Sequence, residues 1–187
     1  MAPSRLILAS RSPQRRAILE QLGIPFEVRP ADVEELDSGP PQEVALDNAR
    51  RKAAAISASE DDGLVLGVDT VVALEDRIYG KPADAADARD TLEALSGRTH
   101  VVIGGLCLTG PTGIRTAVAR TQVEFRTLDP ATLDWYLGSG EWRDRAGAYA
   151  IQGRGAALVK RIEGDYLNVV GLPLAALLEL EPTLLKL

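Results

Sequence analysis

Leu64-Val65-Leu66-Gly67-Val68-Asp69 is the stretch on which the fold turns: an unbroken apolar run with a carboxylate directly behind it. A run this short, without polar alternation, is what a fully buried strand writes. Asp69 is then expected at the strand's end, where open α/β sheets bind their ligands. Downstream, Val71 to Leu74 and Ile78-Tyr79 flank Glu75-Asp76-Arg77 as a hairpin would. Upstream, Leu6-Ile7-Leu8-Ala9 is a second buried strand, and Ser12-Pro13 supplies an N-cap and first helical residue. Ala17, Ile18, Leu19 and Leu22 form the helix's apolar stripe up to Gly23. Phe26 to Arg29 reads as a strand, and the acidic, Pro/Gly-punctuated segment from Asp32 to Pro41 as a surface loop. The spacing predicts helices over 41–59, 84–95, 129–137 and 172–180, the last after a Gly-rich strand region. Val101 to Leu108 and Ile114 to Phe125 form an antiparallel pair across Gly110-Pro111-Thr112-Gly113. Strands and helices alternate irregularly, so the expected fold is α/β, a mixed twisted sheet with flanking helices.

With 187 residues, 45% hydrophobic and 26% charged, the chain has the composition of one domain spanning 1–187, without repeats or long linkers. Its 27 acidic side chains against 21 basic give a net charge of −6, which argues against a general nucleic-acid polymer or anionic membrane as partner. One cysteine, Cys107, and one histidine, His100, exclude an internal disulfide, a multi-cysteine zinc cluster and the H-E-x-x-H metalloprotease pattern. A reducing cytoplasmic setting fits this usage. Met1 to Leu8 does not read as a signal peptide, and no apolar run reaches the roughly 18 residues of a membrane span. His100 and Cys107, both within β-type runs, read as buried structural residues.

No P-loop pattern is present, and the remaining chemistry consists of cations and carboxylates at element ends. Ser10-Arg11-Ser12-Pro13-Gln14-Arg15-Arg16 lies between the first strand and helix. It is an anion cradle, with hydroxyls and free N–H groups at a helix start and Arg15 for a bidentate contact, or else an N-cap followed by a solvated basic turn. Arg50-Arg51-Lys52 lies mid-helix, where not all three can face one way. Lys81, held extended before Pro82, aims an ammonium at one point. Asp69 is either a metal ligand or water-activating base, with Glu34 and Glu35 as partners, or an aspartate opening a turn. Gln152, among glycines 147, 153 and 155, either reads a base edge with its amide or belongs to a bulge and turn. Together these groups suggest metal-assisted chemistry on a nucleotide.

At these residues the chain closely resembles the Maf family of nucleoside triphosphate pyrophosphatases. The resemblance is carried by Leu8-Ala9-Ser10, Ser12-Pro13, Arg15, Lys52-Ala53, Gly67-Val68-Asp69-Thr70-Val71-Val72, Gly80-Lys81-Pro82 and Leu95-Ser96-Gly97-Arg98-Thr99-His100. Ala146-Gly147-Ala148-Tyr149, Ile151-Gln152-Gly153 and Val170-Gly171-Leu172-Pro173 complete it. It implies an inosine-triphosphatase-like α/β fold of two lobes around a central cleft, a homodimer, and Mg²⁺- or Mn²⁺-dependent hydrolysis of a nucleoside triphosphate to monophosphate and pyrophosphate. Carried over by position, Asp69 is the proton acceptor and, with Glu35, a metal ligand; Ser10, Ser12, Arg15, Lys52 and Lys81 hold the triphosphate. Gln14, Thr70 and Gln152 track substrate choice. Asp69-Thr70 with Ile151-Gln152-Gly153 looks like the branch acting on dTTP, UTP and modified pyrimidine nucleotides rather than the 7-methyl-GTP branch. The pyrimidine branch often has arginine where this chain has Gln14, and Arg16 substitutes for that cation only by turning inward; Ala150 replaces a common glycine. The resemblance also carries an association with inhibition of septum formation, which would make the chain a nucleotide-binding regulator instead.

Overall fold

The computed structural model describes residues 5–59 and 63–185. The reading of a chain start without a leader falls partly on residues 1–4, outside that range. Seven strands form one mixed sheet: β1 (Leu6–Leu8), β2 (Phe26–Val28), β3 (Leu64–Leu74), β4 (Arg77–Tyr79), β5 (Thr99–Gly110), β6 (Gly113–Phe125) and β7 (Val159–Glu163). Their spatial order is β2-β1-β3-β5-β6-β7, with β4 on β3. β1 runs parallel to β2 and β3, and every other pair is antiparallel. The parallel part needs crossovers, and helices α1 (Pro13–Gln21) and α2 (Pro41–Ser57) supply them. Helices α3 (Ala85–Leu95), α4 (Pro130–Leu137), α5 (Tyr166–Val170) and α6 (Leu174–Leu180) complete the flanks.

Asp69 is not at a strand end. It lies inside β3, which runs through the expected break because β5 pairs with it continuously from Val65 to Ala73. The edge opposite β5 is filled differently. The β1 ladder stops at Leu8↔Leu66, and β4 begins only at Val72↔Tyr79. Between these two ladders the free edge of β3 opens into a cleft, so the ligand-binding end belongs to the short parallel partner β1.

Alternation along β3 distributes its residues between two faces. Val65, Val71 and Ala73 pack with Ala45, Ala49 and Ala53 of α2. Leu64, Leu66 and Val68 pack with Ile18 and Leu19 of α1 and Leu177 of α6, while Val72 and Leu74 join Leu92 and Tyr136 of α3 and α4. The approach of α2 depends on two glycines. A Cβ on Gly67 would fall 2.1 Å from the Ala49 carbonyl oxygen, and one on Gly105 would fall 2.2 Å from that of Ala45. Gly105 is also the register partner of Asp69, so the helix descends onto the sheet right beside the carboxylate.

Four further expectations are corrected. Leu22 is 38% exposed rather than part of the buried stripe, since the chain turns at Gly23 before it reaches the core. The C-terminal helix begins at Leu174, and a separate α5 precedes it; Asp165 caps α5, and Gly171 at φ +135° ends it. The segment around Gly147–Gly155 is a pair of 3₁₀ turns rather than a strand or bulge, with β7 starting after it. Arg16 turns outward to Glu20 and does not replace a cation at position 14.

Candidate functional site

One wall of the cleft is the junction of β1 and α1. Ser12 caps α1, its Oγ accepting from Arg15 N–H at 3.4 Å and donating to Gln14 Oε1 at 3.2 Å. Ser10 Oγ accepts from Ser12 N–H at 3.2 Å and from Arg15 Nη1 at 2.8 Å. Arg15 also donates from Nε to the Gly171 carbonyl at 2.8 Å and from Nη2 to Thr70 Oγ1 at 3.1 Å. Burial lowers the pKa of this guanidinium from its ordinary value, and the charges of Asp69 and Glu35 oppose that shift. Three of its nitrogens are therefore anchored to protein, and a ligand would meet its remaining N–H groups.

The floor is Asp69, 7% exposed. Lys52 Nζ donates to Asp69 Oδ1 at 2.7 Å and pairs with Glu35 Oε1 at 2.8 Å, so two carboxylates converge on one ammonium. Asn48, one helical turn before Lys52, donates from Nδ2 to Asp69 Oδ2 at 3.2 Å. The same amide accepts from Leu36 N–H at 2.7 Å and donates to the Leu36 carbonyl at 2.9 Å, pinning the acidic loop that carries Glu35. Asn48 is a functional residue that the sequence analysis does not single out; its i,i+4 spacing to Lys52 is the available signal. Arg50 pairs with Asp47 at 3.3 Å and Arg51 donates to the Glu34 carbonyl at 3.2 Å, leaving only Lys52 of that trio in the cleft.

The opposite wall carries Lys81 and Gln152, both exposed to the opening. The Gln152 segment is held from three sides. Tyr136 OH accepts from Ala150 N–H at 3.1 Å, and Glu141 accepts from Arg154 N–H at 2.9 Å and Gly155 N–H at 3.3 Å. Tyr149 OH meets His100 Nε2 at 2.9 Å. Burial lowers the His100 pKa to about 4 and raises that of Tyr136 to about 12. His100 and Cys107 are buried, as expected, and burial pushes the thiol's pKa up. Ser10, Ser12, Gln14, Arg15, Glu35, Lys52, Asp69, Thr70, Lys81 and Gln152 thus line one cavity of about 1060 Å³, a volume suited to a nucleotide-sized ligand. Glu34 is not among its lining residues.

Asp69 and Glu35 offer hard oxygen donors meeting at one cation-occupied point. Among the described residues no group of three or more His, Cys, Asp or Glu side chains gathers as a metal cage. A pair of this kind fits Mg²⁺, which is commonly held by one or two carboxylates together with substrate phosphate oxygens. No helix among the described residues is long and apolar enough to cross a membrane.

The family model for Maf-like proteins matches residues 5–181. A dTTP/UTP pyrophosphatase of Anaeromyxobacter dehalogenans is 49% identical over 94% of this chain and 91% of its own length. One of Deinococcus radiodurans is 46% identical over 94% of this chain and 91% of its own. A HAM1 protein from Coxiella burnetii aligns in structure at 19% identity and a TM-score of 0.48, covering 83% of this chain and 91% of that one. A model that spans nearly the whole chain and relatives this similar leave one conclusion: the chain belongs to the Maf family.

Proposed function

We propose that the protein hydrolyses nucleoside triphosphates, dTTP and UTP foremost, to the monophosphate and pyrophosphate. The observation that carries this reading is the Asp69 carboxylate, held by Lys52 on one oxygen and Asn48 on the other, on the floor of a cleft whose facing walls bear cations. The high identity to enzymes named for that activity supports it.

The reaction adds water across the α–β phosphoanhydride: the attacking oxygen bonds to phosphorus, the bridging P–O bond breaks, and one water proton leaves. Asp69 accepts that proton, because its two fixed oxygens keep lone pairs free beside Lys52 and Asn48. Ser10, Ser12, Arg15, Lys52 and Lys81 hold the triphosphate, offsetting charge on its non-bridging oxygens. Asp69 and Glu35 would hold Mg²⁺ or Mn²⁺, which when bound supplies further neutralisation of phosphate charge. Gln14, Thr70 and Gln152 select the base. The Gln152 amide both donates and accepts, as a pyrimidine edge requires, while Thr70 reaches the site through Arg15. The same reading puts the protein in the cytoplasm with its nucleotide pool, as a homodimer, which sedimentation tests.

The test is pyrophosphate release from a panel of canonical and modified nucleoside triphosphates with Mg²⁺ and with Mn²⁺, with product identity checked. Pyrophosphate with UMP or dTMP is expected. Turnover confined to guanine nucleotides would overturn the roles of Thr70 and Gln152. Asp69→Asn should lower kcat by about 10³-fold or more while preserving nucleotide binding; wild-type turnover in that variant would remove Asp69 from the chemistry.

A further inference from the structure

Arg145 lies immediately before the 3₁₀ turn Ala146–Ala148 and lines the cleft. Its Nε is buried without a hydrogen-bond partner, and no carboxylate among the described residues pairs with its guanidinium. In an acidic chain that is informative, since Arg16 and Arg98 each rest on a carboxylate, and Arg115, whose Nε is also buried without a partner, still has Nη2 on Glu181. A buried donor left unmatched is costly, and a bound ligand can supply the partner it lacks.

The turn behind Arg145 is fastened to the turn that carries Lys81. Gly147 N–H donates to the Gly80 carbonyl at 3.1 Å. The junction tolerates only glycine: Gly147 has φ +71°, and a Cβ there would lie 2.8 Å from Val72 Cγ1. Arg145 and Lys81 therefore occupy two loops locked to each other on one wall. Lys81 is likewise without an ion-pair partner among the described residues. On the facing side, Arg15 is already bound to Gly171, Ser10 and Thr70, and Lys52 to two carboxylates. Arg145 and Lys81 line the cleft with neither an ion pair nor a side-chain hydrogen bond among the described residues.

We propose that Arg145 is a phosphate-binding residue which, with Lys81, grips the pyrophosphate end of the bound triphosphate. This rests on the triphosphatase reading above. A guanidinium offers two parallel N–H groups to phosphate oxygens, and its binding of the β,γ end holds the leaving group as negative charge accumulates on it. Product inhibition tests it, with inorganic pyrophosphate and UMP as separate probes. Arg145→Ala should raise KM for UTP and Ki for pyrophosphate by about tenfold or more, with Ki for UMP within about twofold of wild type. Arg145→Lys, which keeps the charge but loses the fork, should fall between them and serves also if the alanine variant does not fold. An unchanged Ki for pyrophosphate, or equal weakening of both products, would overturn the proposal; the latter would mark Arg145 as a prop for the segment from Tyr149 to Gln152. Calorimetric titration of pyrophosphate into wild type and variant separates this from the parent reading, because it tests Arg145 even in a protein that turns over no triphosphate.

Discussion

The Asn48 amide commits its oxygen to the Leu36 N–H and its nitrogen to both the Leu36 carbonyl and Asp69 Oδ2. Removing it leaves a backbone pair unmatched and one oxygen of the carboxylate free to rotate. Asn48→Ala should lower stability by about 1–3 kcal/mol. It should also lower kcat by roughly 10–100-fold, because misplacing a catalytic group by an ångström costs that much. Steady-state kinetics beside a urea titration checks both; a stability loss with kcat intact would limit Asn48 to the loop. Asp69 was legible in the sequence because a carboxylate directly behind an apolar run demands partners, and Arg15 because it follows a helix start, whereas Lys52 was separated from its basic trio only by the family resemblance. Asn48 was not legible, since a neutral amide on a helix shows its value only once both of its neighbours in space are known. His100 has its own pH signature. Its folded pKa near 4 lies below the unfolded value near 6.5, so the unfolded chain binds the extra proton between them. Its contribution is therefore intact above about pH 6.5 and is lost as pH falls towards 4, on the order of 3 kcal/mol in total. Urea midpoints between pH 7 and 4.5 should drop in wild type and drop less in His100→Phe; parallel losses would assign the acid sensitivity to other groups.

Among the elements, α2 decides whether the site exists, because Asn48 and Lys52 reach Asp69 only when the helix rests on Gly67 and Gly105. Gly105→Ala drives a methyl into the Ala45 carbonyl, and the helix must lift. Overpacking of this kind costs about 1–3 kcal/mol. Activity should fall further than folding does, since the ammonium and amide are displaced together; far-UV dichroism and kcat measured on one sample separate the two. Some helices were legible from their ends: Ser12-Pro13 caps and opens α1 as read, and the ranges 84–95 and 129–137 begin on the residues that cap α3 and α4. The extent of β3 was not legible, because nothing local to Asp69-Thr70 says that β5 continues alongside. The 3₁₀ turns at 146–158 were equally opaque; Tyr136, Glu141 and His100, distant in sequence, hold them or their linking segment in place.

At the scale of the whole molecule, the mixed sheet and flanking helices follow from the alternation of buried strands and capped helices, and the cleft from a mismatch in strand lengths. β1 has three residues and β4 three, against eleven in β3. Two separate hydrophobic clusters rest on the same two strands, β3 and β5, one through Leu66, Val68 and Leu106, the other through Val72 and Val102. Neither side of the cleft can come apart without fraying the ladder on which the other stands. In hydrogen–deuterium exchange, the amides of 65–73 and 101–109 should form one slowest class that opens only with global unfolding. Calorimetric and van't Hoff enthalpies should coincide. Two exchange classes divided at Asp69 would reveal two separable units instead. A cleft built on an unbroken strand would also have no hinge in its floor, so whatever breathing admits a nucleotide must come from the rims, where the acidic loop and the Lys81 turn are each tied down by only a few bonds.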